Sequence, residues 1–449
     1  MLFQKSLVAL SATFAAATAS HSTGYPPNIT ILNETTNMYQ LSSDGQFDFI
    51  LTEYLSLANE GGAASGEVLR AAAKIEPGNF NSWYDEFNYL AEKIHAMGDA
   101  SYKRHALVSA RDAYFRSSAY WRAADFFLHG NLSDPRIYTL WDKQIADFDK
   151  AVSLLPRPAV KLNLKANGFF IPAYFFPADS SLPEHVKPRY GKRVPTVIVG
   201  TGYDGSQQAL YHGSCREIIA RGWNCIIYEG PGQPTVRRDQ NKAFIPEWWE
   251  VITPVVDYLH TRDDVDVDRI SLIGLSFGGL LAPLAATREH RLAAVVAIDG
   301  MYSLQAALGE AFPSSLIQLF ESGNKTAFDG VINAALKAPS ASSKLRWGVE
   351  QGMFAWNTTS PYEWYDNTGK FFLNEEKVKS IKAPVFVASG QNDDLAPGQP
   401  ETVARWFGKQ AHYVLFETDV GAGEHCALGA EQQLAMETLD WLADKYAEV

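Results

Sequence analysis

Three side chains far apart in the sequence could together make a strong nucleophile. Ser276 lies at the centre of Gly274-Leu275-Ser276-Phe277-Gly278. A serine hydroxyl alone attacks poorly at neutral pH; it needs a base, and the base needs an acid to orient it. Asp393, in Ser389-Gly390-Gln391-Asn392-Asp393-Asp394, supplies the acid, with Asp394 as the alternative. His425 ends Gly421-Ala422-Gly423-Glu424-His425 and supplies the base. Of the ten histidines it is the one downstream of Asp393 in a glycine-rich loop, whereas His412 lies just before a strand. Attack on a carbonyl would create an oxyanion, which backbone amides can hold. The amide of Phe277, directly after the serine, is one donor, and that of Tyr203, after the close-approach residue Gly202, is the other. Asp204 and Glu229 end nearby strands; each could bind a substrate hydroxyl or perturb a pKa, or simply cap local backbone.

These residues need a scaffold that brings strand ends together. Ile270-Ser271-Leu272-Ile273 reads as a buried strand and Gly279 to Ala286 as the start of a helix. A strand turning sharply into a helix lifts the serine above the sheet, and Gly274 and Gly278 keep the turn uncrowded. Further apolar runs, at 194–199, 225–228, 293–298, 384–388 and 413–416, alternate with helical segments at 206–221, 248–261 and 431–446. That alternation predicts a mostly parallel sheet covered by helices on both faces. A strand pair at 160–164 and 169–176, turning at Asn167-Gly168, precedes it.

Two pieces lie outside the alternation. Residues 20–155 read as an extended leader followed by a helical domain. There, Trp83, Phe87, Leu90, Ile94 and His95 recur at helical spacing, Met97-Gly98-Asp99 breaks the helix, and Ser133 or Asp134 caps a helix over 135–154. Residues 156–449 form the core, with a cap inserted at about 301–380. The cap's Trp347, Phe354 and Tyr362 are expected to line the substrate pocket.

The net charge is -12 with no Lys/Arg run, which disfavours nucleic acid and anionic membrane as partners. Lys5, the apolar run from Leu7 to Ala17 and Ala17-Thr18-Ala19 read as a secretory signal peptide over residues 1–19. No later stretch reaches spanning length. In a secreted chain the sequons at Asn28, Asn33, Asn131, Asn324 and Asn357 are glycosylation candidates. The three cysteines, Cys215, Cys225 and Cys426, allow one bridge, with Cys215 and Cys225 nearest in sequence, or stay as free thiols. No Cys/His spacing suggests zinc, and the chemistry calls for no cofactor.

The chain resembles the α/β-hydrolase branch that includes FrsA-type esterase-like proteins, dihydroxypseudooxynicotine hydrolase and fungal yellowish-green pigment hydrolases. The matching pieces are Asn81-Ser82-Trp83-Tyr84, Gly202-Tyr203-Asp204-Gly205-Ser206, Tyr228-Glu229-Gly230-Pro231-Gly232-Gln233, the Gly274–Gly278 turn, Ser360-Pro361-Tyr362-Glu363 and Gly423-Glu424-His425-Cys426. One position departs: Pro234 stands where the branch has glycine. The resemblance implies the α/β-hydrolase fold, a Ser276–Asp393–His425 triad, and N-terminal helices that act as a lid and as a homodimer surface. It also implies ester cleavage or cleavage of a carbon–carbon bond beside a ketone.

The expected function is that of a secreted serine hydrolase. Its small-molecule substrate would be an apolar, aromatic or polyketide-derived ester or ketone of secondary metabolism. Two rival readings are a prolyl-oligopeptidase-like peptidase, which would need an N-terminal β-propeller, and a non-hydrolytic cyclisation catalyst or metabolite-binding protein on the same scaffold.

Overall fold

The computed structural model describes residue 36 and residues 38–179 and 191–448. The signal segment, Asn28 and Asn33 lie outside the described residues.

Among the described residues five α-helices precede the sheet: α1 (Gly45–Ser56), α2 (Ser65–Ala72), α3 (Phe80–Lys103), α4 (Leu107–Asp125) and α5 (Arg136–Ser153). Asp44 caps α1 by accepting from the amides of Gln46 and Phe47, and Asn79 caps α3 in the same way. Their apolar faces meet in an aromatic core in which the Phe47 and Trp83 rings lie 4.8 Å apart and Phe80 stacks on Phe127 at 4.6 Å. These helices stand where the peptidase reading requires a propeller.

Two sequence expectations fail here. Met97-Gly98-Asp99 does not break the helix, because α3 runs through it for 24 residues. Gly98 serves close packing instead. A Cβ there would come within 2.9 Å of the Tyr114 ring on α4, so glycine's helix penalty of about 1 kcal/mol is offset by the approach it permits. The residue before α5 is Pro135 rather than Ser133 or Asp134, although the Asp134 carboxylate still accepts from the Arg136 amide at 2.9 Å.

Eight strands follow: β1 (Val160–Lys165), β2 (Phe170–Phe176), β3 (Val194–Gly200), β4 (Asn224–Tyr228), β5 (Val265–Leu275), β6 (Ala294–Ile298), β7 (Val385–Gly390) and β8 (Ala411–Phe416). They form one sheet in the order β1-β2-β4-β3-β5-β6-β7-β8. β2 pairs antiparallel with β1 and β4, and the remaining pairs are parallel. The mostly parallel sheet is the one anticipated from the alternation, and its arrangement is that of the α/β-hydrolase fold implied by the resemblance. Side chains alternate across the sheet as a two-residue period demands. Ile198 packs with the helices Trp249–His260 and Gly278–Ala286 on one face. Val197 and Val199 pack with α4, α5 and the helix Glu431–Ala447 on the other.

Between β6 and β7 the chain leaves the sheet and forms the cap. Its helix Ser343–Ala355 reaches the helical domain. Ser343 donates to Asp44 at 2.6 Å, and Phe354 joins the core of α1–α5. Beneath this contact lies a buried charge cluster. Arg238 donates to both Asp125 oxygens, at 3.0 and 2.8 Å, and Arg122 approaches the same carboxylate. Burial alone would raise the Asp125 pKa, but Arg238, His129 and Arg122 hold it far below the ordinary carboxylate range.

Cys215 and Cys225 are buried free thiols, so the bridge between them is not formed. Asn131, Asn324 and Asn357 are exposed, although Asn357 already accepts from Arg237 at 2.8 Å. Among the described residues no helix is long and apolar enough to cross a membrane.

Candidate active site

The structure brings the three reactive side chains together. Ser276 ends the turn between β5 and the helix Gly278–Ala286 with φ 60°, a conformation L-residues adopt only under constraint. Any side chain at Gly274 would overlap the carbonyl of Gly278, which explains the small flanking residue. Ser276 Oγ lies 2.8 Å from His425 Nε2. On the other side of the ring, Nδ1 lies 2.8 Å from Asp393 Oδ2. Asp394, the alternative acid, instead pairs with Lys344 at the surface.

A second carboxylate, not anticipated from sequence, reaches the same nitrogen. Asp299 directly follows β6, is 1% exposed, and places Oδ2 3.1 Å from His425 Nδ1. It also accepts from the Cys426 amide. Its φ of 53° adds a further strained residue to the site, alongside Cys426 and Ala427. The sequence signal was its place at a strand end beside a glycine, in Ile298-Asp299-Gly300, although such a pattern also marks ordinary turns.

The electrostatics follow from this crowding. Burial pushes the Asp299 carboxyl up to about 6, and the charge on Asp393 adds to it. Burial also works against ionised Asp393, but the charge and hydrogen bond of His425 outweigh that and lower its pKa. For His425, burial disfavours the imidazolium. The neighbouring Cys426, Asp393 and Asp299 overcome this and raise its pKa well above the ordinary histidine range.

The predicted oxyanion segments adjoin. A Cβ on Gly202 would come within 2.6 Å of the Phe277 amide nitrogen, so only glycine lets the loop after β3 lie against the serine turn. Tyr203 is fixed from the cap: its hydroxyl donates to the Gly348 carbonyl at 2.8 Å, and its own carbonyl accepts from Gln351 at 3.2 Å. The helical domain fixes the next residue, since Arg122 donates to the Asp204 carbonyl at 2.7 Å. Phe49 of α1 places its ring 6.5 Å from the His425 ring, another neighbour the sequence did not reveal.

The remaining site expectations divide. Glu229 takes the capping role that the sequence left open: its two oxygens accept from the amides of Gln207 and Thr235, at 2.9 and 2.6 Å, so it braces loops and offers substrate no free oxygen-bonding role of its own. Phe354 is corrected, because it stacks on His129 at 4.3 Å inside the domain contact. Tyr362 packs against Phe320 and Phe328 within the cap. Trp347 stacks on Phe126 at 5.3 Å and meets the Tyr203 ring edge-on at 6.3 Å, so it borders the oxyanion loop. Asp204 lines a recess beside that loop. Pro234 has a simple place: it opens the helix Pro234–Gln240, where a missing amide hydrogen costs nothing.

Comparison with known proteins agrees with this fold. The model of the dienelactone hydrolase family matches residues 184–380. The α/β hydrolase psoB of Aspergillus fumigatus is 31% identical over 370 residues, covering 78% of this chain and 80% of that protein. This chain belongs to the α/β-hydrolase family. Within that family, the 20-hydroxy-prefusarin hydrolase FUS2 of Gibberella moniliformis is 26% identical over 427 residues, covering 91% of this hydrolase and 99% of its relative. The crystal structure of 2,6-dihydroxy-pseudo-oxynicotine hydrolase superposes with a TM-score of 0.66 at 19% identity, covering 87% of this chain and 95% of that one. It shares the α/β-hydrolase fold across the helical domain and the sheet.

Proposed function

We propose that this hydrolase acts through a covalent acyl-enzyme on an apolar, aromatic or polyketide-derived ester or ketone of secondary metabolism. The observation that carries the reading is the continuous chain from Ser276 Oγ through His425 to Asp393, each link 2.8 Å long. Ser276 is half-buried, open enough for a carbonyl carbon to reach. His425 takes the serine proton as the Ser276–carbon bond forms, and the amides of Phe277 and Tyr203 receive the negative charge on oxygen. His425 then returns the proton to the departing group, an alcohol oxygen from an ester or the enolate carbon from a 1,3-diketone. Water, deprotonated by His425, attacks the acyl carbon, and His425 returns that proton to Ser276 Oγ as the acyl–Oγ bond breaks.

The relatives support the metabolic setting. psoB and FUS2 are fungal hydrolases, and FUS2 carries a metabolite in its name. The aromatic surroundings of the oxyanion loop, Trp347 and Trp356 against Tyr203, suit an apolar substrate. We also infer entry into the secretory pathway from the charged and apolar pattern of residues 1–19; Edman sequencing of the mature protein starting near Ser20 would support it.

The test incubates an aryl 1,3-diketone and the matched aryl ester with the wild type and with Ser276→Ala. A fluorophosphonate labels Ser276 in parallel. Turnover and labelling are expected in the wild type and lost in the variant. Turnover retained by Ser276→Ala overturns the mechanism. An unlabelled wild type without turnover would favour the non-hydrolytic reading.

A further inference from the structure

One recess of the protein takes no part in the chemistry described so far. It lies between the helical domain and the segment after β3, has a volume of about 30 Å³, and is walled by Glu53, Arg122, Gln144, Asp204, Gln208 and His212 among apolar side chains. Most of its polar groups are paired, but not all of them. Gln144 and Gln208 are 0% and 4% exposed and share one hydrogen bond of 3.0 Å. That bond leaves Gln144 Oε1 buried without a partner, while the Gln208 amide also meets the Tyr174 hydroxyl. A buried amide oxygen with no partner is costly, so one on a cavity wall points to a group that binds there.

The other walls complete the picture. His212 Nδ1 lies 2.9 Å from the Glu60 carbonyl and must donate to it, which leaves Nε2 as an acceptor. Burial lowers the His212 pKa to about 4, so the ring stays neutral. Burial, with Asp204 next, raises Glu53 to about 7, so near neutrality its carboxyl can either donate or accept. Arg122 is committed to Asp125 and to the Asp204 carbonyl. The recess therefore offers uncommitted donors and acceptors and no free cation, which argues against a carboxylate or phosphate ligand. Its volume holds about two water-sized groups, and a hydroxymethyl group fits that space.

Both sides of the recess run back to the reactive serine. Asp204 directly follows the oxyanion residue Tyr203, and its carboxyl feels the charge of His425. Glu53 lies one helical turn beyond Phe49, which abuts His425. We propose that this recess is a specificity subsite that receives an alcohol group of the substrate, held by Gln144, Gln208, Glu53 and Asp204, while the reacting carbonyl sits at Ser276. The orientation of the carbonyl at Ser276 rests on the hydrolase reading; the subsite itself is tested by binding alone.

The experiment titrates Ser276→Ala calorimetrically with 1-phenyl-1,3-diketones of graded chain length, each with and without a terminal hydroxyl. At one chain length the hydroxylated compound should bind roughly tenfold more tightly, as for a polar group that satisfies buried partners. The advantage should vanish when Gln208→Met or, separately, Glu53→Leu is added to Ser276→Ala, with folding checked by circular dichroism. The two substitutions lie on different elements, so misfolding of one leaves the other to decide. No hydroxyl advantage at any length, or an advantage that survives both substitutions, overturns the subsite. Failure of the fluorophosphonate to label the wild type would overturn the hydrolase reading and leave this result standing.

Discussion

His425 faces two carboxylates through a single nitrogen, and they differ in placement. Asp393 is the nearer, at 2.8 Å, and Asp299 lies at 3.1 Å. Both favour the imidazolium, so the pH at which His425 becomes a free base is displaced upward. Activity should therefore fall on the acid side as His425 is protonated. In Asp299→Asn one anion is gone and the imidazolium is less favoured, so the acid limb of the kcat/KM profile should move to lower pH. A limb that stays in place would show that Asp299 does not act on the base. Asp393→Asn should reduce kcat by less than the roughly 10⁴-fold loss that follows removal of a lone orienting acid, because Asp299 can hold the ring. The double variant should show the full loss, read by steady-state kinetics on the aryl ester. Ser276, Asp393 and His425 were legible because a strained turn and two glycine-rich loops announce them in chain order. Asp299, Phe49 and the Gln144–Gln208 pair were not legible, since their roles arise only when distant elements pack.

Elements converge on this site from three directions: the serine turn from the sheet, Tyr203 clamped by the cap, and Asp204 held by α4. The Asp125–Arg238–Arg122 cluster ties the last of these to the core. Removing its one carboxylate in Asp125→Ala would take from two buried guanidinium groups the anion that pairs them directly. A loss of about 3–5 kcal/mol is expected in urea denaturation. At Gly98, Gly98→Val would push into the Tyr114 ring and cost about 1–3 kcal/mol by overpacking, despite valine's restricted but acceptable helix geometry. The sheet strands were readable because apolar runs bounded by glycine and proline have few other solutions. Packing between helices was not. Gly98 reads as a breaker in one dimension and as a contact in three. Phe354 and Tyr362 show the same limit: aromatic residues at helical spacing announce burial without saying which surface they are buried against.

At the scale of the whole molecule, the helical domain is not an independent body. It has its own aromatic core, yet Phe115 and Phe148 also pack under the sheet beside Tyr211. Calorimetric unfolding should therefore show one transition in which the helical domain and the sheet melt together. A separate earlier transition, assigned to the helices by circular dichroism, would contradict this. A chain starting at residue 156 should be insoluble, because it would expose the apolar face that α4 and α5 cover.

The core begun by Phe47 is closed by Phe354, and Asp44 bonds to Ser343 across 299 positions of chain. This has a consequence for biosynthesis. The helices emerge first from the ribosome, but the side chains that seal them arrive only after β6 has been made. The nascent helical domain must therefore wait, with its aromatic interior incompletely covered, until the helix Ser343–Ala355 has been made. Apolar surface left open for that long is prone to aggregate, so the cap's late arrival sets how long the new chain is at risk.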